Sequence, residues 1–185
     1  GRFATEGAEK AKQAEAELQR YLFYYGRWQS HMDSLKFEVR QEERVQEKIA
    51  GLESKLQEYL ADYEWLRQGA TQLSACRRIL ANSYIFAFYA LGQHGMFADE
   101  ISTDTDVVNR NLFEVKQEEL EQAVESLSKQ VETPLEEMLD AGGVGKVKKM
   151  VLDLTVNVDL RTLKLAETAQ HDILGQLSSA VGIAP

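Results

Sequence analysis

Apolar residues recur along the first third of the chain at helical spacing. Ala11, Ala14, Leu18, Tyr21, Tyr25, Trp28, Met32, Leu35 and Val39 are separated by three or four residues without a break, which predicts a long helix with a coiled-coil-like stripe. A second run, Val45, Ile49, Leu52, Leu56, Tyr59, Tyr63 and Leu66, keeps the spacing but begins out of phase. One helix with a displaced seam and two helices with a tight join both fit that slip. Gly51 costs a helix about 1 kcal/mol relative to Ala and does not stop it, so the break is expected near Gly69. The third stripe, Leu73, Cys76, Leu80, Tyr84, Ala87 and Leu91, has Ile85, Phe86, Phe88 and Tyr89 beside it. It reads as a helix apolar all round, at the centre of a bundle.

Residues 92–111, with Gly95, Asp99, Asp104 and Asp106, have turn composition and no period, and are expected to form a loop. Phe113, Leu120, Val124, Leu127, Val131, Leu135 and Met138 form a fourth stripe. Pro134 should kink or divide it near Thr133, and Gly142, Gly143 and Gly145 should end it. A last stripe runs from Val147 through Val151, Leu154, Val158, Leu165 and Ile173 to Leu177. Its Val- and Thr-rich part, 151–158, resembles a strand but has no second strand to pair with, and is read as helix. The expected fold is all-α: an elongated helical bundle of long antiparallel, partly coiled-coil-like helices, with residues 1–185 forming one domain.

Composition narrows the partners. The 185 residues are 44% hydrophobic and 28% charged with only 2 Pro, enough apolar material for a core and too little turn chemistry for an all-β protein. With 21 Lys+Arg against 30 Asp+Glu the net charge is −9, which disfavours nucleic acid or an anionic membrane and suits basic surfaces on a partner protein. The single cysteine, Cys76, rules out an internal disulfide and a Cys-based zinc site. The most apolar run, 84–91, is far short of the roughly 20 residues a membrane span needs, and the start lacks the apolar core of a signal peptide. A cytoplasmic or nuclear location is the expectation. Gly1 opens the chain without an initiator Met, as an excised fragment would.

Candidate chemistry is sparse. Gly142-Gly143-Val144-Gly145-Lys146 superficially resembles a phosphate loop, but Asp140 and Val147 occupy positions where the pattern requires Gly and Ser or Thr. A glycine helix stop and restart explains it better. Asp104 and Asp106 have calcium-loop spacing without the remaining ligands. His31, His94 and His171 have no metal-ligand spacing, and there is no pair of Glu-x-x-His motifs. Cys76 sits on the apolar stripe between Leu73 and Leu80, the place of a buried structural thiol. Neither a catalytic residue nor a metal site is predicted.

One block is specific. Arg20-Tyr21-Leu22-Phe23-Tyr24-Tyr25-Gly26-Arg27-Trp28, followed by His31-Met32-Asp33-Ser34-Leu35-Lys36-Phe37-Glu38, resembles the opening of the Ariadne domain of RBR (RING-between-RING) E3 ubiquitin ligases. Similarity continues at Cys76-Arg77-Arg78, at 84–89, at Leu112-Phe113-Glu114, and at Leu120-Glu121 with Glu125. Beyond about Pro134 it is only generic helix, and the last helix lacks the arginine-rich start of animal members. The resemblance implies that RING1, IBR and RING2 are absent from this chain. The parent would be a ubiquitin transferase acting through a RING2 cysteine, with zinc in those modules and none here. It further implies a regulatory domain, itself without ligase activity, that docks on RING2 of the same polypeptide and hides its cysteine. Release would come from a partner such as a neddylated cullin-RING ligase, with E2-ubiquitin engaged through the parent. The docking positions carried over are Phe37, Glu38 and Glu125.

From the residues alone, Phe37 lies about 160° from both Leu35 and Val39, off the seam, which fits a core residue facing a second side or a docking residue. Glu38 and Glu125 read as ordinary solvated glutamates. Ser34, three residues before Phe37, is a candidate phosphosite whose charge would repel Glu38. Two rival readings stand beside the regulatory one. A binding module for ubiquitin, NEDD8 or another protein is suggested by Tyr21, Phe23, Tyr24, Tyr25 and Trp28, some of which must face outward. A coiled-coil dimer would use the stripe from Ala11 to Val39.

Overall fold

Helix-forming Ala, Glu, Gln, Lys and Leu dominate the first fifty-odd residues, and no proline interrupts them. The computed structural model, which describes residues 2–56, 62–91 and 104–175, makes of them one helix, α1 (Arg2–Leu56), about 80 Å long. Then follow α2 (Glu64–Ala90), α3 (Asp104–Val131), the short α4 (Leu135–Leu139) and α5 (Gly143–Glu167), which passes into one π-helical segment, Thr168–Leu174. No strand occurs among the described residues, so the all-α expectation holds and the segment 151–158 is helix.

Cross-helix contacts give the direction of each helix. Arg20 meets Phe88, Glu38 meets Arg77 and Gln46 meets Arg67, so α1 and α2 are antiparallel. Tyr84 meets Glu121 and Arg77 meets Glu125, which sets α3 antiparallel to α2. Arg161 pairs with Glu119 and Asn109 with Asp172, setting α5 antiparallel to α3. α2 packs against α1, α3 and α5. Its buried side carries Leu66, Leu73, Cys76, Leu80, Tyr84 and Ala87, but Ile79, Ile85 and Tyr89 are exposed, so it is central without being enclosed all round.

Three expectations are corrected. α2 begins at Glu64, so the expected break near Gly69 does not occur there, and Gly69 is buried inside α2. A Cβ on Gly69 would stand 2.7 Å from Val151 Cγ1, so this glycine marks the close approach of α5, not a helix end. Of the predicted loop, 104–111 are the opening turns of α3, while 92–103 lie outside the described residues, as do Tyr59 and Leu177. Asp and Thr favour helix N-termini as well as turns, and composition does not separate the two uses.

The seam of α1 is the third correction. The buried positions are Tyr24, His31, Glu38, Val45 and Leu52, seven apart, with Gln41 and Ile49 beside them, while Leu18, Tyr21 and Tyr25 are exposed. There is no phase slip. The seam runs straight, but its middle is polar, so an apolar reading followed the neighbouring stripe instead.

The other turns follow the sequence. α3 ends before Thr133-Pro134, where Lys48 Nζ donates to the carbonyls of Val131 and Thr133, both at 2.7 Å, satisfying acceptors that the end of a helix leaves open. Gly142 adopts φ +77° between α4 and α5, the left-handed stop and restart the glycine cluster predicts. No helix among the described residues is long and apolar enough to cross a membrane.

Candidate functional site

The polar middle of α1 faces a single arginine. Arg77, on α2, is only 4% exposed, and its Nε donates to Glu38 Oε1 at 2.8 Å, Glu38 being 3% exposed. Its Nη1 donates at 2.5 Å to Oε1 of Glu125, which stands on α3 with its side chain 59% exposed. One guanidinium thus ties three helices together. Burial alone would lower the Arg77 pKa, but the hydrogen bonds to Glu125 and Glu38 outweigh it and hold the group charged. Burial pushes the Glu38 carboxyl above the usual carboxylate range, with Arg77 pulling against it. Glu38 Oε2 is buried with no hydrogen-bond partner.

These groups line a surface groove of about 480 Å³. Ser34 and Phe37 of α1 line it as well, together with Lys129, Glu132 and Pro134. The Phe37 ring is 42% exposed, with the Arg44 guanidinium 5.1 Å above its centroid. All four sequence-predicted residues, Ser34, Phe37, Glu38 and Glu125, therefore line the same groove, although 87 residues separate Glu125 from Glu38 along the chain. Phe37 faces outward, as its off-seam position allows. Glu38 is not the solvated glutamate that spacing alone suggests. Arg77 was present in the Cys76-Arg77-Arg78 block without a role, and only an unpaired acid at a buried seam position could have pointed to it.

A second polar cluster lies farther along the same three helices. Glu121 accepts from Tyr84 Oη at 2.7 Å and from Arg27 Nη1 at 3.0 Å. The buried ring of His31 stacks on Tyr84 at 5.5 Å with its Nε2 3.8 Å from Glu121, and neither ring nitrogen has a hydrogen-bond partner. Burial lowers the His31 pKa, Glu121 partly opposing it. Of the other singled-out residues, Cys76 is buried with its thiol pushed up by burial, and His171 is exposed. His94 lies outside the described residues, and among those described no three His, Cys, Asp or Glu side chains gather as a metal site would require. Tyr21, Phe23 and Tyr25 face outward, whereas Tyr24 is buried and Trp28 half-buried.

The described residues thus make an all-α bundle with an open, charged groove and an exposed aromatic among its lining residues. The chain belongs to the Ariadne domain family, whose model matches residues 19–185. It is 34% identical over 181 residues to the probable E3 ubiquitin-protein ligase ARI2 of Arabidopsis thaliana, covering 98% of this chain and 30% of that protein. With the probable E3 ubiquitin-protein ligase ARI3 of the same plant it shares 35% over 178 residues, 96% of this chain and 33% of the relative. With the mouse E3 ubiquitin-protein ligase ARIH2 it shares 33% over 120 residues, 65% and 22% respectively. The chain spans about a third of the length of the plant relatives.

Proposed function

We propose that this chain is the regulatory domain of an RBR-type E3 ubiquitin ligase, docking through the Phe37 groove onto the RING2 module of its own polypeptide and masking the catalytic cysteine there. The catalysis, the zinc and the E2-ubiquitin contact belong to the rest of the ligase. A partner such as a neddylated cullin-RING ligase releases the clasp. The observation that carries the reading is the convergence of Ser34, Phe37, Glu38 and Glu125 on one groove.

Their roles differ. Phe37 offers apolar area, and since more than half of it is already covered, burying the rest against a partner contributes roughly 1 kcal/mol. Glu125 is exposed enough to accept a further hydrogen bond while holding Arg77. Glu38, with both carboxylate oxygens buried, acts on the groove by fixing Arg77. A charge-assisted bond adds about 1.5–3 kcal/mol, so a few contacts reach the approximately 5.5 kcal/mol that moves a closed-open balance from 99:1 to 1:99. A phosphate on Ser34 would place about −1.5 to −2 charges beside the two glutamates and loosen an acidic contact.

The test is Phe37→Ala in the whole ligase, read as autoubiquitination, with the isolated variant domain checked for an unchanged melting temperature. Raised activity is expected, and Ser34→Asp should move activity the same way. Unchanged activity of a folded Phe37→Ala ligase refutes the docking role. The exposed Tyr21, Phe23 and Tyr25 favour a second reading, a binding module for ubiquitin or NEDD8, which an NMR titration of the labelled domain with each protein separates from the first.

A further inference from the structure

The outer face of α5 is apolar. Leu152, Val156, Leu160 and Leu163 have exposures between 41% and 68%, and on a helix of 100° per residue they fall within about 80° of arc. Val147, Val151, Val158 and Leu165, which seat α5 on the bundle, lie on the opposite side. The helix therefore carries two apolar stripes and only one of them is used. An exposed line of four large aliphatic side chains is costly to leave in water and marks a contact surface.

Two charges at the ends of the stripe are set against the helix's own dipole. Lys149 stands near the positive N-terminal end and Glu167 at the negative C-terminal end, the reverse of the favourable order. Lys149, Asp153, Lys164 and Glu167 form no ion pair with another described residue; at 100° per residue Lys149 and Glu167 fall within the arc of the stripe, beyond its two ends, and Asp153 and Lys164 lie about 20–40° outside it on one side. A two-fold axis crossing α5 near residue 158 turns this pattern into a complementary one. Val156 then meets the second copy's Leu160, Leu152 meets the second copy's Leu163, Lys149 meets the second copy's Glu167, and Asp153 meets the second copy's Lys164. In an antiparallel pair residues on the same flank face each other, and the two helix dipoles oppose.

We infer that the outer stripe of α5 is a self-association surface, pairing two copies of the chain through antiparallel α5 helices. About four turns of helix make a small interface, so the dimer is weak and forms with concentration. The groove beside Phe37 takes no part in it, and the inference is independent of the docking proposed above.

Sedimentation equilibrium of the domain over a wide concentration range provides the test. The mass is expected to climb from 20.9 kDa toward twice that value. Val156→Lys should raise the dissociation constant more than about tenfold with an unchanged circular dichroism spectrum and melting temperature, since the side chain is exposed. Lys149→Glu alone and Glu167→Lys alone should each weaken the dimer, and the two together should restore it. A chain that stays monomeric at hundreds of micromolar, a dimer indifferent to Val156→Lys, or a charge swap that fails to restore association each overturns the inference. So does an α5 face that instead binds another module of the ligase while the domain remains a monomer.

Discussion

Arg77→Met probes the link between the core and the groove. The substitution keeps an unbranched side chain of similar reach but removes the charge that neutralises Glu38, leaving a carboxylate 3% exposed with both oxygens unpaired. Breaking a buried pair by deleting one partner costs about 3–5 kcal/mol, because the remaining charge is still out of water. Against a total stability on the order of 5–15 kcal/mol that is a large fraction. Urea unfolding followed at 222 nm, with the m-value checked for constancy, measures it. Replacing both partners, Glu38→Gln with Arg77→Met, should recover more than half of the loss, since no charge is then stranded. The pH dependence gives an independent readout. Without Arg77 the folded-state pKa of Glu38, already above its ordinary value, rises further, so the folded state holds the proton more tightly than the unfolded one. Arg77→Met should therefore regain stability as pH falls through that raised value toward 4.5, the range in which the parent chain gains less. A loss below about 1 kcal/mol, or a variant whose deficit is flat between pH 7 and 4.5, would show that Glu38 is solvated in solution and that the buried pair is not as described.

Other perturbations follow from the same geometry. The His31 pKa is lowered by burial, so the unfolded state binds more protons and stability should fall as pH drops through 6.5; His31→Phe, which keeps the stack on Tyr84, should flatten that slope in thermal melts. Tyr84→Phe removes the hydrogen bond to Glu121 and should cost about 1–2 kcal/mol by urea unfolding, with little change in secondary structure. Gly69→Ala should lower the melting temperature, since the stiff Val151 would have to give way and overpacking of about 1–3 kcal/mol exceeds the helix gain of about 1. Gly51→Ala should be neutral or stabilising, because the atom it meets is the end of the half-buried Leu135 side chain, which can rotate away.

Much of this molecule is determined by its sequence. The absence of proline over the first helix, the 3–4 spacing of apolar residues, Pro134 and the Gly142-Gly143 pair are local signals, and each acts within a turn or two of chain. They dictate long helices, the division after Val131 and the restart at Gly143 wherever the chain is placed. What they leave open is anything that depends on a neighbour. Which stripe of α1 is buried was decided by Arg77 and Tyr84 across the interface, since a seam containing the Glu38 carboxylate is stable only where a cation faces it, and the His31 ring is covered by stacking on Tyr84. Gly69 reads as a helix stop until α5 is seen pressing on it. The groove exists because Glu125, 87 residues beyond Glu38, reaches the same guanidinium from the other side. Periodicity reports a helix's own faces; the choice among faces that are all plausible belongs to packing, where the free energy of a buried polar group is set by atoms far away in the chain.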